Sequence, residues 1–211
     1  MQLALPLSRL LPNRLAAPMV LVCALSACGG AGDAPPALTA FDTLNRAALD
    51  LTDQTAGQAA TPDLPQVGQA LFEGYTGFNL PTANTSVAVI GQINLAIDLA
   101  GARSDQTGQA TDFIAETGDQ FAGVLRVTDG RFDRSISPQA DNRFGAVLSG
   151  VLTGNASGPG ASQMQHDIDA AVAADIFGAE GQTFAGRLSG RVLHAGEEFP
   201  LSGSIIATRT E

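Results

Sequence analysis

The 211-residue sequence contains no lysine and no tryptophan, one tyrosine, two cysteines and two histidines. Its eleven basic residues are therefore all arginines, and with 21 acidic residues the formal net charge is −10. An acidic surface repels phosphate backbones, so we expect no nucleic-acid partner. Hydrophobic residues make up 45% of the chain and aromatic residues only 5%. Any core must therefore consist mainly of aliphatic side chains and the ten phenylalanines.

Sequence signals of catalysis are also lacking. The sequence has no phosphate loop, serine elbow or dinucleotide fingerprint. His166 and His194 lack the spacing of a metal site, and we expect each at a rim or in the core with its nitrogens satisfied. In "HDID", Asp167 and Asp169 share one strand face, which we interpret as a solvated acidic face. We therefore expect no enzymatic activity, no cofactor and no bound metal.

The N-terminus has the pattern of a secretory signal. Arg9 and Arg14 precede the apolar run "LAAPMVLVCALSAC", which ends at Cys28. A basic region, a short apolar region and small residues before a cleavage site are typical of a signal peptide. The run is shorter than the roughly 20 residues that a membrane-spanning helix needs. Residues 1–27 are therefore predicted to be removed, which changes the formal charge from −10 to −12 because they contain two arginines and no acid.

The segment "LSAC" at residues 25–28 resembles the lipobox of bacterial lipoproteins. The resemblance implies that Cys28 is the lipid attachment site, through which the protein is anchored in a lipid bilayer. An ordinary signal peptide cleaved nearby is the alternative. Gly29 follows the cysteine instead of the aspartate typical of inner-membrane lipoproteins, which implies the Gram-negative outer membrane. Cys23 is removed with the signal, so the mature chain keeps no free thiol for a disulfide or a metal.

Between the cysteine and the main domain we expect a tether and one helix. Residues 28–38 are small and contain two prolines, which is typical of a flexible tether. Thr39 with Asp42 three residues later forms a capping pattern, and Gly57 marks the helix end. The apolar residues between them have helical spacing: Phe41, Leu44, Ala48 and Leu51. We interpret residues 39–79 as this short helix and an irregular lead-in.

Beyond residue 85 the pattern changes to the period of two that strands show, and we assign residues 80–211 to a β domain. In "SVAVIGQINLAIDLAG", alternate positions from Val87 to Leu99 are apolar or glycine, and later segments repeat the arrangement. "TDG" at 128–130 indicates a hairpin turn. Seven or eight short strands predict an all-β sandwich or barrel, and we favour an antiparallel eight-stranded barrel. Because a closed barrel has no edge to cover, we expect a fragment from about Asn79 to fold alone.

Glycines are frequent in "ADIFGAEGQTFAGRLSG", residues 174–190. Gly178 and Gly181 fit a turn, where positive φ costs glycine little. Gly186 and Gly190 fall on the inward face, where glycine lets a coiled strand bend or leaves room for a large neighbour. The stretch is therefore predicted to be a hairpin of a tightly curved sheet.

The same hairpin carries a family resemblance. "IFGAEGQTFAG" at 176–186 resembles the penultimate hairpin in the C-terminal barrel of transferrin-binding protein B, factor H binding protein and related surface lipoproteins. The matching residues are Phe177, Gly178, Phe184, Ala185 and Gly186. "NLPTANTSVAVIGQINLAID" resembles the entry to that barrel, and "ATDFIAETGDQFAGVLRV" its early Asp-Phe strand and hairpin. The resemblance spans about residues 80–211 and implies a non-enzymatic surface protein that binds a macromolecule or solute.

Two hypotheses of function follow. In the first, the barrel is solid, and its loops and outer face bind an unidentified extracellular protein or small solute, as the resemblance implies. In the second, the barrel is hollow and carries a small apolar ligand, as lipocalins do. Eight strands enclose an interior that side chains can fill, which favours the solid barrel.

Overall fold

The computed structural model describes residues 39–62, 64–82, 85–100, 107–134, 143–154 and 163–210. Cys28, the predicted signal peptide and the predicted tether lie outside these residues. The described residues form one helix and eight strands: α1 (Ala40–Thr55), β1 (Gln69–Pro81), β2 (Ser86–Asp98), β3 (Thr107–Ala115), β4 (Gln120–Phe132), β5 (Phe144–Gly154), β6 (Met164–Phe177), β7 (Thr183–His194) and β8 (Glu197–Thr210).

The strands form a closed antiparallel barrel in sequence order, which confirms the predicted fold class. Each strand pairs with the next along the chain, and β8 pairs with β1 to close the barrel. Odd strands run one way and even strands the other. We call the end at which β2, β4, β6 and β8 finish the Leu64 end, and the opposite end, where β6 begins, the histidine end.

Strand β1 lies where the sequence predicted an irregular lead-in, so the predicted barrel boundary at residue 80 is wrong. Its thirteen residues pair with β2 from Gln69 to Pro81. The strand escaped detection because its inward positions include Gly74 and Thr76, while Leu71 and Tyr75 point outward. The apolar alternation that marks the other strands is therefore broken here. The barrel begins at Gln69, and a fragment starting at Asn79 would lack most of a strand.

The predicted hairpin turn at 128–130 is also wrong. Thr128, Asp129 and Gly130 lie inside β4, and the pairing of β4 with β5 shifts between Thr128 and Arg131. Asp129 has a φ of 53°, in the left-handed region that aspartate tolerates better than most residues. The segment is therefore a β-bulge, after which Arg131 and Phe132 resume pairing with β5.

A continuous cluster of inward side chains fills the barrel. The Phe184 ring, from the second residue of β7, has its centroid 5.7 Å from that of Phe72 and 5.1 Å from that of Phe144. A second aromatic pair, Phe78 and Phe113, has a centroid separation of 5.7 Å. Aliphatic side chains complete the core, as the composition predicted; those with the least exposure include Leu80, Ile93, Ile97, Leu99, Leu125, Leu148, Leu152 and Ile168.

Helix α1 begins as predicted, with Thr39 as its N-cap. The Thr39 side chain accepts a hydrogen bond from the Asp42 backbone N–H, and the Asp42 carboxylate accepts one from the Thr39 N–H, which completes a capping box. The helix lies against the outer wall formed by β1, β2, β3 and β8. None of its residues is fully buried. It therefore packs on the barrel through partly exposed side chains.

The segment between α1 and β1 closes the Leu64 end. Leu64 is buried and belongs to the core cluster. The backbone N–H of Thr61 donates to the carbonyl of Ile176 at 2.8 Å, and its hydroxyl donates to the carbonyl of Gly178. Arg134 donates from Nε to the Leu99 carbonyl at 2.7 Å and from its Nη atoms to the carbonyls of Leu64 and Pro65. The lead-in is therefore a fixed cap.

Replacing Arg134 by alanine should loosen this cap. The variant loses hydrogen bonds from one cation to three backbone carbonyls, and a hydrogen bond to a charged group contributes about 1.5 to 3 kcal/mol. We expect urea unfolding to show a loss in that range and limited proteolysis to cut before β1. Arg209→Ala is the control, because exposed Arg209 gives a single guanidinium hydrogen bond within the described residues, to the Glu180 carbonyl. Equal stability of the two variants would contradict the assigned role.

Candidate functional site

The glycine-rich hairpin between β6 and β7 lies at the Leu64 end, and its residues form the turn and pack the barrel. Gly178 and Gly181 have φ values of +90° and +70° in the turn that joins β6 to β7. Phe177 forms an isolated bridge with Ala60, so the turn contacts the cap segment. Phe184 points into the core, as described above. A Cβ atom on Gly186 would lie 2.4 Å from the carbonyl oxygen of Ala173, so glycine allows the two strands to approach closely.

The histidine end contains an arrangement that the sequence did not indicate. His166 on β6 and His194 on β7 pair directly across the sheet, and both point inward. Their rings stack with centroids 4.5 Å apart and an angle of 11° between their planes. The exposed fraction is 0% for His166 and 7% for His194. The two histidines lie far apart in sequence, and only the strand register brings them together.

Three nitrogens of this histidine pair have no hydrogen-bond partner among the residues that the structure describes: Nδ1 and Nε2 of His166 and Nδ1 of His194. The pair lies at one end of the barrel, as the rim alternative expected, and its nitrogens are not satisfied as the core alternative expected. Burial and the neighbouring His194 lower the pKa of His166 to about 4, so its imidazole is neutral at pH 7. The surroundings are apolar, with the Phe121 ring 5.7 Å from that of His166 and the Phe199 ring 6.4 Å from that of His194. Unpartnered buried nitrogens are rare and call for a physical explanation.

The wall under α1 is the covered side of the barrel. Three outward isoleucines, Ile90, Ile114 and Ile206, are buried although they point away from the core. Cavities of about 420 and 440 Å³ flank the helix, lined by helix residues such as Leu49 and Leu51 and by wall residues such as Tyr75. The helix thus covers apolar wall that would otherwise face water, and its packing leaves space on both sides.

Strands β4 to β7 form the other side of the wall. Within the described ranges, no helix covers their outward side chains. We call this surface the open face and define it by Val124, Arg126, Val151, Asp169, Ala171, Arg187, Arg191 and Leu193, of which Val124, Val151 and Leu193 are exposed large hydrophobic residues. Val124 and Val151 are cross-strand neighbours, so two of the apolar side chains are adjacent.

Charged side chains cross the open face beside these apolar residues. Arg191 lies 3.3 Å from the Asp169 carboxylate and 3.4 Å from that of Glu198, and all three are exposed. Such surface pairs contribute about 0 to 1 kcal/mol to stability. Asp167 and Asp169 face solvent, as the sequence predicted. The open face therefore combines apolar contact area with paired charges, as protein-binding surfaces do.

The described part of the chain contains no group of three or more His, Cys, Asp or Glu side chains placed to hold a metal ion. Among the same residues, no helix is long and apolar enough to cross a membrane.

No family model matches the chain, and no curated protein matches it in sequence. The resemblance to transferrin-binding protein B and related surface lipoproteins therefore stays a prediction, carried by the hairpin residues Phe177, Gly178, Phe184 and Gly186 and by the lipobox at Cys28.

Proposed function

We propose that this protein is a lipid-anchored, non-enzymatic binding protein of the outer membrane, and that its filled barrel presents its outer surface to an extracellular protein or solute. The filled interior is the observation that carries the proposal. The Phe184 ring on β7 contacts those of Phe72 on β1 and Phe144 on β5, and one continuous cluster of buried side chains lies where a lipocalin would hold its ligand. This favours binding on the outside over the hollow-carrier alternative.

The open face is the surface that we assign to the partner. It offers the exposed apolar side chains Val124, Val151 and Leu193, and an interface core needs such contact area. The opposite side of the barrel is already covered by α1. Arg126, two positions after Val124 on β4, and Arg191, two positions before Leu193 on β7, lie beside the apolar residues and supply the polar rim typical of non-obligate interfaces.

A pair of leucine variants tests this assignment. Leu193 on the open face and Leu49 on α1 are exposed by 45% and 55%, so Leu193→Glu and Leu49→Glu are matched changes. We would immobilise wild type and both variants and compare the proteins that they retain from culture medium and from serum. We expect a component retained by wild type and Leu49→Glu to be lost with Leu193→Glu. Equal retention by all three proteins, or no specific component, would contradict the proposal.

Replacing Cys28 by serine should abolish lipid attachment, because the lipoprotein assignment makes its sulfur the acylation site. We expect cells that express the variant to show no labelled palmitate in this protein and to accumulate an unprocessed or released form. The wild-type chain, which should carry label and fractionate with outer membrane, is the control. Incorporation of label into the Cys28→Ser protein would show that the anchor is assigned wrongly.

A further inference from the structure

The histidine end holds three donor side chains on one inward face. Met164 and His166 are separated by one residue on β6 and therefore point to the same side of the sheet. His194 is the direct cross-strand partner of His166. Directly opposed residues have Cβ atoms about 5 Å apart, and diagonal neighbours such as Met164 and His194 lie about 7 to 8 Å apart, within reach of long side chains. Two positions on one strand and one across from them can converge on a single ion.

We propose that a monovalent copper ion binds at the histidine end, held by the imidazoles of His166 and His194 and the thioether of Met164. The unpartnered nitrogens of the buried histidine pair are the independent observation that points to a ligand. A metal ion satisfies such nitrogens without a protein hydrogen-bond acceptor.

The donor set and its surroundings select the ion. Thioether sulfur favours Cu(I), and imidazole binds copper well. Phe121 and Phe199 flank the two rings, so the site is apolar and favours an ion of low charge over a divalent one. Glu197 lies opposite His194 in register but is exposed. Because no carboxylate of the described residues forms a metal-binding group here, Zn²⁺ would have to enter this apolar environment with no anionic ligand.

Binding must change the arrangement of the two rings. In the structure the rings of His166 and His194 are nearly parallel, with centroids 4.5 Å apart. A metal lies in the plane of each imidazole that binds it, so two rings sharing one ion cannot remain stacked in this way. The ring signals therefore report binding directly, and the assignment is simple because the chain has only two histidines.

The test is a titration of the full chain in detergent with Cu(I) kept reduced by ascorbate, in competition with the chromogenic chelator bicinchoninate. All proteins carry Cys23→Ser and Cys28→Ser, so that thiolates do not contribute. We expect one ion per chain, a change in the imidazole NMR signals of both histidines, and no equivalent change with Zn²⁺.

Two ligand variants and one control make the result decisive. Met164→Leu should keep the fold, because Met164 is only half-buried. Loss of a residue that merely supports a metal ligand weakens metal binding roughly tenfold or more, so loss of the Met164 ligand itself should weaken Cu(I) binding at least tenfold. His166→Leu should abolish binding, while Gln165→Ala, between the two β6 ligands but on the outer wall, should leave it unchanged. Failure of the parent protein to bind Cu(I), equal binding of Zn²⁺, or unchanged affinity in Met164→Leu would overturn the proposal.

Discussion

A fragment of residues 79–211 will fail to fold, whereas a fragment of residues 59–211 will fold cooperatively. The shorter fragment lacks most of β1, which pairs with both β2 and β8 and closes the barrel. It also lacks Phe72 and Phe78, whose side chains are buried. Removing one buried phenylalanine side chain costs about 3 to 5 kcal/mol. Two such losses equal much of the total stability of a domain, which is about 5 to 15 kcal/mol.

Circular dichroism and thermal melting of the two fragments give the comparison. The longer fragment keeps Thr61 and Leu64, so the cap of the Leu64 end stays in place, and it omits α1, which has no fully buried residue. We expect it to melt cooperatively, at a lower temperature than the full chain because Ile90, Ile114 and Ile206 lose their cover. A cooperative melt of the 79–211 fragment would show that β1 is dispensable and that the closed barrel is wrong.

Replacing Gly186 by alanine will destabilise the barrel far more than the same change at Gly145. A Cβ atom on Gly186 would lie 2.4 Å from the Ala173 carbonyl oxygen and 2.6 Å from the Ala174 Cα atom. These backbone atoms belong to the paired strands β6 and β7 of the closed barrel and cannot move away easily. Overpacking of this kind costs about 1 to 3 kcal/mol, and sometimes more. At Gly145 a Cβ atom meets nothing within 4 Å.

Thermal melting of Gly186→Ala and Gly145→Ala measures this difference. A loss of 1 kcal/mol lowers the Tm of a domain this size by about 2 to 4 °C. We expect a clear decrease for Gly186→Ala and a change near zero for Gly145→Ala. Gly190→Ala provides a second variant, because its Cβ atom would lie 2.5 Å from the Ala170 Cα atom. Similar Tm values for all three proteins would mean that the strands do not approach as closely as the structure indicates.

The sequence predicted those strands whose inward positions are apolar almost throughout. Strand β2 is an example, because Val87, Val89, Ile93, Leu95 and Ile97 alternate with polar or small residues and are all buried. Strand β1 was missed because glycine and threonine occupy two of its inward positions. The sequence predicts a turn at Asp129 because an aspartate–glycine pair fits a hairpin turn as well as a β-bulge. Only the continued pairing of Arg131 with β5 shows that it is a bulge.

The candidate sites bring together residues that are far apart in sequence, and the sequence alone does not indicate the strand register that makes them neighbours. Nothing in the spacing of His166 and His194 indicates contact, and the pairing of β6 with β7 alone makes them neighbours. The sequence contains one indication that α1 docks on the barrel: Ile90 is an apolar residue at an outward position of β2. An outward isoleucine in a regular strand indicates a covering element, and the amphipathic helix upstream is that element.

The central claim is that the barrel is filled and acts through its outer surface. Native mass spectrometry of the protein purified from outer membranes tests it most directly, by comparing the intact mass with that of the same sample after extraction with organic solvent. We predict the mass of the lipidated polypeptide, with no small apolar molecule released by the solvent. A stoichiometric apolar ligand that is present before extraction and absent after it would contradict the claim and favour a hollow carrier.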